Sequence, residues 1–412
     1  MSETLPSRRP AFAFIFVTAV MNAVSFGIMI PVLPNLIRTM TGGDTASASM
    51  WNVLFAVTWG AMQFVCGPIL GMMSDRFGRR PVILISLFGL CLDFIVMAFA
   101  PSLWWLFFGR VLNGITAASF STANAYVADV TTPERRARDF GMMSSAFSFG
   151  FLIGPVLGGL LAEYSLRLPF LVAAGLTLAN WLYGFFILPE SLSPERRVKT
   201  FDWRRANPIG SLNLLQSRPG LIGLAGIGFL FQLSHTVLPS IFILYGGFRY
   251  HWTPLMLGAS MALTGVLGIL VQAFCIQPIV SRVGERGAVL IGALSGAAGF
   301  AIYGFAPTGW MYLMGAPIFA FMGLLQPGLM GLMSRRVGPS EQGQLQGANQ
   351  SLQGISSMAG PAIFGTVFAW AITHDASLHM PGLPIYLAAG LMVAAFFLAL
   401  RTARHPLAAP AE

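Results

Sequence analysis

Long apolar runs separated by short polar loops dominate this sequence and leave few options for its fold. Hydrophobic residues make up 55% of the chain and charged residues only 9%, whereas soluble domains carry about 25% charged residues. A run of roughly 20 apolar residues can cross a bilayer as a helix. The pattern therefore predicts an all-α membrane protein with twelve transmembrane helices, at residues 11–36, 48–70, 81–100, 102–128, 140–162, 168–188, 220–245, 255–279, 287–306, 309–333, 344–370 and 383–402.

The chain also contains an internal repeat, which is clearest in a basic loop between the second and third runs. That loop, GMMSDRFGRRP at 71–81, is echoed by IVSRVGERG at 279–287. Residues that match between the two regions keep one constant separation along the chain over about eighty residues, and such a constant separation indicates a duplication. We therefore predict two pseudo-symmetric six-helix halves, 1–190 and 219–412, joined by a polar linker at 191–218. The matched residues are Arg76 with Arg282, Gly78 with Gly284, Arg80 with Arg286, Pro101 with Pro307, Trp104 with Trp310, Pro133 with Pro339, Gly141 with Gly347, and Gly154-Pro155 with Gly360-Pro361.

Basic residues predict the orientation of the chain, because cytoplasmic loops carry an excess of Lys and Arg. With both termini inside, all but four of the 24 Lys and Arg residues lie in cytoplasmic segments. Of those four, Arg38, Arg167 and Arg249 lie in outer loops and Arg110 lies within a predicted span. The positive charge therefore serves membrane orientation, and nucleic acid is not expected as a partner.

Other classes of function find no support in the sequence. The three cysteines, Cys66, Cys91 and Cys275, all lie in apolar runs and suggest neither a disulfide framework nor a metal site. The sequence has no GxxxxGK[ST] loop for ATP, and it shows no nucleophile–base pair. We expect no enzymatic activity and no cofactor; a proton is the expected coupling ion. The first apolar run is too long for a cleavable signal and is expected to stay as a spanning helix.

Several motifs resemble those of the major facilitator superfamily of secondary transporters. The loop at 71–81 is similar to the signature between helices two and three, Arg110 in GRVLNGITAA resembles the helix-four motif, and GFLIGPVLGG at 150–159 resembles the helix-five motif of drug/proton antiporters. Closer still, nearly the whole chain resembles the tetracycline/proton antiporters. The segments that carry this resemblance are IPVLPNLIR (30–38), MQFVCGPILG (62–71), SDRFGRRPVIL (74–84), AYVADVTTPERRARDFG (125–141), GPVLGGLL (154–161) and GQLQGANQSL (343–352).

The resemblance implies a secondary active transporter that exports drug-like or amphiphilic organic molecules in exchange for protons. It implies alternating access between the two halves around a midplane site, a bacterial-type inner membrane, and a functional monomer. A proton-coupled transporter of a physiological metabolite, working in either direction, is the first alternative. A non-transporting receptor on a transporter fold is the second.

The basic loop has two interpretations. The resemblance implies a conformational latch in which Asp75 contacts a helix end or arginines, with Asp129 and Arg136 in the same charge network. From the residues alone, Gly71 and Gly78 permit tight turns, and the loop is also explained as solvated charge that fixes topology. The residues predicted for the latch are Gly71, Asp75, Arg76, Gly78, Arg79, Arg80, Asp129 and Arg136.

The helix-five motif combines small residues with a proline. Pro155 removes one helical hydrogen bond and predicts a kink. Gly150, Gly154, Gly158 and Gly159 form a small-residue face that lets another helix approach closely. Ordinary helix packing is the alternative to a hinge here.

Ionisable residues inside the bilayer are functional candidates because they are costly there. Asp93 and Arg110 flank the turn at Pro101, and at 1.5 Å per residue both lie roughly 12–14 Å from the outer end of their helices. They are expected to pair if they face each other, either as a structural ion pair or as a proton-coupling carboxylate with its arginine. His235 in the seventh run is a further candidate for proton coupling.

Departures from the tetracycline pattern weaken the expectation of a tetracycline-type substrate. Asn22 and Gly296 replace acids of helices one and nine, and Gly268 replaces a histidine of helix eight, whereas Asp93 matches the acid of helix three. The remaining candidates suit an aromatic or amphiphilic molecule. They are Asn22, Gln63, Phe147, Phe231, Gln232, His235, Gln272, Asn349 and Gln353.

Overall fold

A computed structural model describes residues 8–116, 119–131, 136–194, 197, 215, 220–337 and 342–402, and these residues are helical nearly throughout, with no strand among them. The helices are α1 Arg8–Met29, α2 Leu33–Met40, α3 Thr45–Phe77, α4 Arg79–Phe99, α5 Leu103–Thr116, α6 Ser119–Val130, α7 Arg136–Tyr164, α8 Leu168–Ile187, α9 Leu221–His235, α10 Val237–Tyr250, α11 Pro254–Leu270, α12 Ile276–Phe305, α13 Gly309–Ala320, α14 Leu325–Ser334, α15 Gln342–Thr373, α16 Asp375–Leu378 and α17 Leu383–Thr402.

The described part contains ten helical segments that are long and apolar enough to span a membrane. Two local features account for the difference from the twelve predicted spans. The fourth span is described as two helices, α5 and α6, and residues 117–118 between them lie outside the described ranges. The eighth and ninth spans form one helical run, Pro254–Phe305, which is kinked at Gly284. Each predicted span therefore has a helical counterpart, and the all-α membrane fold is confirmed.

The internal repeat is visible in the backbone. Gly78 and Gly284, one in each half, both have a positive φ, 110° and 72° respectively. Ala100 ends α4 with φ −54° and ψ 120°, and its repeat Ala306 ends α12 with φ −48° and ψ 112°. The backbone thus has similar local geometry at these two pairs of matched positions.

The first and seventh spans are interrupted at matching places. The first breaks between α1 and α2 at residues 30–32, and the seventh breaks between α9 and α10 at Thr236. Pro31 has no N–H to donate, and its carbonyl accepts a hydrogen bond from the Asn35 side chain at 3.0 Å. In the seventh span the Thr236 hydroxyl donates to the Leu233 carbonyl at 2.6 Å. Discontinuous helices expose backbone polar groups and are common at transporter sites.

Backbone contacts divide the chain into two compact units. Unit 1 comprises Met1–Gly43, Thr58–Ala206 and Trp252–Ala262; unit 2 comprises Asp44–Val57, Asn207–His251 and Leu263–Glu412. In unit 1, α1 packs against α7 and α8, and α4 packs against α5 and α8. In unit 2, α12 packs against α13, α14 and α17, and α9 packs against α17. Most of the predicted linker at 191–218 lies outside the described residues, and the predicted boundaries of the halves stay predictions.

Candidate functional site

Asp93 and Arg110 form an ion pair inside unit 1. Asp93 lies on α4 and is fully buried, while Arg110 lies on α5 and is 5% exposed. The Arg110 Nη2 donates to Asp93 Oδ2 and also lies 3.8 Å from the Met97 sulfur. The structure thus brings together the two charges that the sequence places at similar depth on neighbouring helices.

This ion pair leaves buried polar atoms without a partner among the described residues. Asp93 Oδ1 and Arg110 Nε make no hydrogen bond there. Gly109 lies against the same carboxylate, since a Cβ at that position would be 2.7 Å from Asp93 Oδ1. An unpaired acceptor in a protein interior is costly. The ion pair therefore satisfies only part of the hydrogen-bonding capacity of Asp93 and Arg110 among the described residues.

Aromatic side chains on neighbouring helices of unit 1 form a chain of ring contacts. Asn113, one turn beyond Arg110, accepts a hydrogen bond of 2.6 Å from the indole N–H of Trp59. The rings of Phe26 and Trp59 are 6.4 Å apart, and Phe26 and Phe151 are 5.9 Å apart. Phe147, a predicted cavity residue, stacks on Phe151 at 6.1 Å. We call Phe26, Trp59, Phe147 and Phe151 the aromatic row.

The other predicted substrate residues divide between the two units. Asn22 and Gln63 are half-buried in unit 1; Gln232 and Asn349 are half-buried in unit 2. Phe231 is buried in the core, with its ring 6.0 Å from that of the exposed His235, which is the last residue of α9. Gln353 and Gln272 are exposed, and Gln272 lies in a π-helical segment, Val271–Cys275. Such segments are rare and often occur at functional sites.

The latch residues gather around Arg79. The Arg79 guanidinium pairs with Asp75 four residues earlier, with Asp129 at 3.1 Å and with the Ser74 hydroxyl at 3.1 Å. Arg80 donates to the carbonyl of Phe185 in the last turn of α8, and Arg76 lies 5.4 Å from the ring of its neighbour Phe77. Arg136 begins α7, but its side chain lies outside the described side chains.

The prediction of a short loop over residues 71–81 is wrong, because most of these residues are helical. Helix α3 continues to Phe77 and α4 begins at Arg79, so Gly78 alone forms the connection. Gly71 is helical and makes no turn, and a Cβ there would meet nothing within 4 Å. The apolar run ends near residue 70, but the helix extends past it because Ser74, Asp75 and Arg76 are compatible with helix and lie at its polar end.

The helix-five glycines pack as the motif predicts. A Cβ at Gly150 or Gly158 would overlap with α1, and a Cβ at Gly154 would lie 2.6 Å from the Gly27 Cα. Gly159 contacts the start of α11, where a Cβ would be 2.9 Å from the Leu255 Cα. Pro155 lies inside α7, and its carbonyl faces Gly258 within the same unit.

A family model now decides the classification of the chain. The model described as Major Facilitator Superfamily matches residues 15–361. The chain belongs to the Major Facilitator Superfamily. It is accordingly a multi-pass membrane protein of a transporter family.

Known proteins similar to this superfamily member agree with that assignment. It is 40% identical to "Tetracycline resistance protein, class C" of Escherichia coli, over 92% of this chain and 94% of the relative. It is 27% identical to "Multidrug resistance protein 2" of Bacillus subtilis, over 92% and 93% of the two chains. Among solved structures, that of the nucleoside transporter NupG is similar with a TM-score of 0.77 at 12% identity, covering 96% of this chain and all of that one. That last likeness concerns the fold alone.

Sequence reasoning missed Glu190 in this Major Facilitator Superfamily protein. Its carboxylate accepts hydrogen bonds from the backbone N–H groups of Arg79 at 2.8 Å and Arg80 at 3.2 Å. These are unsatisfied donors at the start of α4, where a negative charge is favourable. Glu190 also accepts from Ser191 and Leu192, so it fastens the segment after α8 to the start of α4. An acid in a segment otherwise rich in basic residues was the available signal.

A second missed feature is an ion pair in which the repeat reverses the charges. Arg79 and Asp129 of the first half correspond, at the separation of the repeat, to Glu285 and Arg335. Glu285 and Arg335 pair at 2.8 Å, as Arg79 and Asp129 pair at 3.1 Å. Arg286, the repeat of Arg80, donates to the Leu400 carbonyl near the end of α17. The second half of this superfamily member thus keeps the geometry of the basic loop with inverted polarity, which a search for identical residues overlooks.

Gly78→Ala tests the tight connection between α3 and α4. A side chain is strained at a φ of 110°, and the new Cβ would overlap with the Glu190 carboxylate. We expect a loss of about 1–3 kcal/mol in stability and slower transport. Gly71→Ala is the matched control, since Gly71 is helical with open space around it, and alanine there should leave stability unchanged or raise it by about 0.5–1 kcal/mol. Thermal unfolding of the purified variants measures the difference; equal transition temperatures would contradict this account.

Proposed function

We propose that this protein is a proton-coupled exporter of drug-like, amphiphilic organic molecules. It moves its substrate across the membrane by alternating access and leaves the covalent structure of the substrate unchanged. The proton is the coupling ion. The observation that carries the proposal is the fully buried Asp93, paired with Arg110 and retaining one acceptor oxygen without a described partner. Membership of a transporter family and relatives named for tetracycline and multidrug resistance support the same function.

The chemistry of Asp93 fits proton exchange. Burial disfavours its charged form and Arg110 favours it, so the protonation state depends on how closely the arginine approaches. A conformational change that moves α4 against α5 by a small distance would shift that balance. The proton then leaves on one side of the membrane and enters on the other, as coupling requires.

The aromatic row of unit 1 supports the proposed substrate class. The aromatic row and the Trp59–Asn113 hydrogen bond offer ring faces and one amide. Such surroundings bind molecules with apolar rings and a few polar groups. Phe26, Trp59 and Phe151 therefore join Asn22, Gln63 and Phe147 as proposed substrate contacts in unit 1.

Tetracycline is proposed as a weak substrate at most. The resemblance implies a histidine where this chain has Gly268 and an acid where it has Gly296. A Cβ at Gly268 would meet nothing within 4 Å, whereas a Cβ at Gly296 would lie 2.9 Å from a Met392 methyl and 3.0 Å from Met322. The second position is filled by methionines, so an acidic side chain could not enter without repacking.

Helices are in close contact at two places, which we call seams, and these contacts support alternating access. In unit 1 the start of α11 meets Pro155 and Gly159 of α7, and in unit 2 the start of α3 meets α15, where the Ser49 hydroxyl donates to the Gly365 carbonyl at 2.9 Å. Both seams lie at helix ends that the basic residues assign to the outside. We propose that they separate when the substrate site opens outward and close when it opens inward.

We further propose a monomer in a bacterial-type inner membrane, with both termini in the cytoplasm. Single cysteines test the topology: at Asp375, between α15 and α17, a membrane-impermeant thiol reagent should react from outside, and at Arg205, in the predicted linker, only from the cytoplasmic side. The basis is the concentration of Lys and Arg in segments assigned inside. Reaction of the linker cysteine in intact cells would overturn the orientation.

Everted membrane vesicles test the function directly. When respiration makes their interior acidic, they should exchange internal protons for fluorescent amphiphilic drugs and accumulate these drugs, and they should accumulate tetracycline more slowly than vesicles with the class C relative at matched expression. Collapse of the gradient should release the accumulated drug. Vesicles that accumulate none of a broad drug panel, but do take up a metabolite with protons, would favour the metabolite transporter instead.

A further inference from the structure

Buried oxygen atoms in unit 1 continue along α4 from the carboxylate of Asp93. Asp93, Gly89 and Ser86 are four and three residues apart, so they share one face of the helix. The Ser86 side chain is 3% exposed, and its hydroxyl oxygen, like Asp93 Oδ1, makes no hydrogen bond among the described residues. Buried polar atoms in proteins normally have a partner, so two unpartnered oxygens on one buried face need a physical explanation.

Thr116 of α5 lies between these two oxygens. A Cβ at Gly89 would overlap with the Thr116 hydroxyl, so the missing side chain lets that hydroxyl reach the backbone of α4. The hydroxyl donates to the Leu112 carbonyl at 3.0 Å, and its oxygen can still accept. At 1.5 Å per residue, Gly89 lies about 6 Å from Asp93 and about 4.5 Å from Ser86 along the axis. One water molecule joins two oxygens about 5.5 Å apart, so each step has the length of one bridging water.

Helix α6 packs against α4 near Ser86. Ile83 and Leu87, which lie on either side of Ser86 in the sequence, belong to the same buried cluster as Tyr126 of α6. Thr122, one turn before Tyr126, is 2% exposed, and its hydroxyl oxygen makes no hydrogen bond among the described residues. The packing of α4 on α6 therefore brings a third unpartnered buried oxygen to this part of unit 1.

The same face of α6 leads to charged groups at the end of the helices that we assign to the cytoplasm. The Tyr126 hydroxyl donates to the Pro189 carbonyl at 3.1 Å. Asp129, three residues after Tyr126, is half-buried and pairs with Arg79 at 3.1 Å. Buried oxygens thus extend, step by step, from the ion pair in the membrane to a carboxylate near the surface. The three hydroxyl groups between these ends, which we call the hydroxyl row, belong to Thr116, Ser86 and Thr122.

We propose that the hydroxyl row is the route by which the proton on Asp93 passes to the cytoplasm. This inference rests on the proposed proton-coupled export and names the groups that move the proton. Each hydroxyl, and each water molecule that bridges two of them, accepts a proton on its oxygen and releases its own proton to the next group. Every member is therefore unchanged after the transfer, the Asp93 carboxyl group becomes a carboxylate, and the cytoplasm gains one proton.

Removal of single hydroxyl groups tests the route in the full chain in lipid nanodiscs. A caged acid releases protons after a light flash, and time-resolved infrared spectroscopy follows the carboxyl band of Asp93, which is identified by its absence in Asp93→Asn. Ser86→Ala should slow protonation of Asp93 about tenfold. This is less than the hundredfold or more typical of a direct proton donor, because water partly replaces the lost hydroxyl. The unfolding temperature should not fall, because the Ser86 hydroxyl makes no hydrogen bond among the described residues.

Thr177→Val is the matched control. The Thr177 hydroxyl is also buried without a partner among the described residues, but it lies on α8, one turn from Asn180, which contacts α1. Thr177→Val should protonate Asp93 at the wild-type rate. Thr116→Val should slow protonation as Ser86→Ala does, whereas Thr116→Ser, which keeps the hydroxyl, should restore the rate.

Three outcomes separate the route from the export function. Wild-type protonation rates in both Ser86→Ala and Thr116→Val would overturn the route, even in a protein that exports drugs with protons. Slower protonation in these two variants but not in Thr177→Val would support the route, even in a protein that exports no drug. An Asp93 band that does not respond to the pH change would overturn both the route and the coupling role of Asp93.

Discussion

Asp93→Asn is expected to reduce proton-driven accumulation of substrate to the level of empty vesicles. Asparagine keeps the size of the side chain and an acceptor for Arg110, but it cannot carry the proton. Binding of substrate and downhill exchange without a gradient should persist, because neither needs a proton to cross. Uptake into proteoliposomes with and without an imposed pH gradient separates these two activities. Gradient-driven uptake at the wild-type rate in Asp93→Asn would remove Asp93 from the coupling mechanism.

Arg110→Ala should affect the same ion pair in a different way. It leaves a fully buried carboxylate without its described cation, and breaking a buried ion pair from one side costs about 3–5 kcal/mol. We expect poor folding and low yield, partly restored when Asp93→Asn is added, because the double variant carries no buried charge. Rescue of yield without rescue of gradient-driven uptake would separate the structural role of the ion pair from its role in coupling.

The second large effect is expected at the helix-five motif. In Gly158→Ala the new Cβ would overlap with the carbonyl oxygen of Ile28 on α1, and overpacking of a tight contact costs about 1–3 kcal/mol or more. Because the obstacle is backbone, a side-chain rotation cannot relieve it, and α1 must move away from α7. We expect a lower unfolding temperature together with loss of transport.

Gly175→Ala is the matched control for this substitution. Gly175 lies in the transmembrane helix α8, and a Cβ there would meet nothing within 4 Å. Alanine should therefore be tolerated, with expression and unfolding temperature close to the wild type. An equal response of the two variants would show that α1 and α7 do not need the close approach that the glycines allow.

The fold could be predicted from the sequence because the hydropathy of each segment and the repeat of matched residues can both be read directly from the order of amino acids. Apolar runs set the number of spans, and matched residues such as Gly78 and Gly284 set the repeat. The similar depth of Asp93 and Arg110 followed from counting residues from Pro101. That they face each other did not, because α4 and α5 are apolar on most sides and carry no clear amphipathic signal.

Features that depend on contacts between distant parts of the chain could not be predicted from the sequence. Glu190 satisfies the N–H groups at the start of α4 from more than a hundred residues away, and no local pattern announces such a partner. The charge-reversed ion pair of Glu285 and Arg335 was hidden because charges, unlike glycines, can exchange places without changing the geometry. The interruptions at residues 30–32 and at Thr236 were hidden by continuous hydropathy.

The two halves also differ in a way that bears on mechanism. At the separation of the repeat, Asp93 corresponds to Gly299 and Arg110 to Ala316. A Cβ at Gly299 would lie 2.8 Å from the Phe319 Cβ, and aromatic rings such as the stacked Tyr303 and Tyr312, 4.1 Å apart, occupy this region of unit 2. The first half therefore carries the buried charges of this matched pair of positions, and the second half has close packing there.

Proton movement caused by substrate is the most direct test of the central claim. Proteoliposomes that hold a pH-sensitive dye and the purified protein receive an outward gradient of an amphiphilic drug at equal pH on both sides. Coupled exchange predicts acidification of the interior as the drug leaves, which is absent in Asp93→Asn and in empty liposomes. Drug efflux at the wild-type rate with no change in internal pH would contradict proton-coupled export.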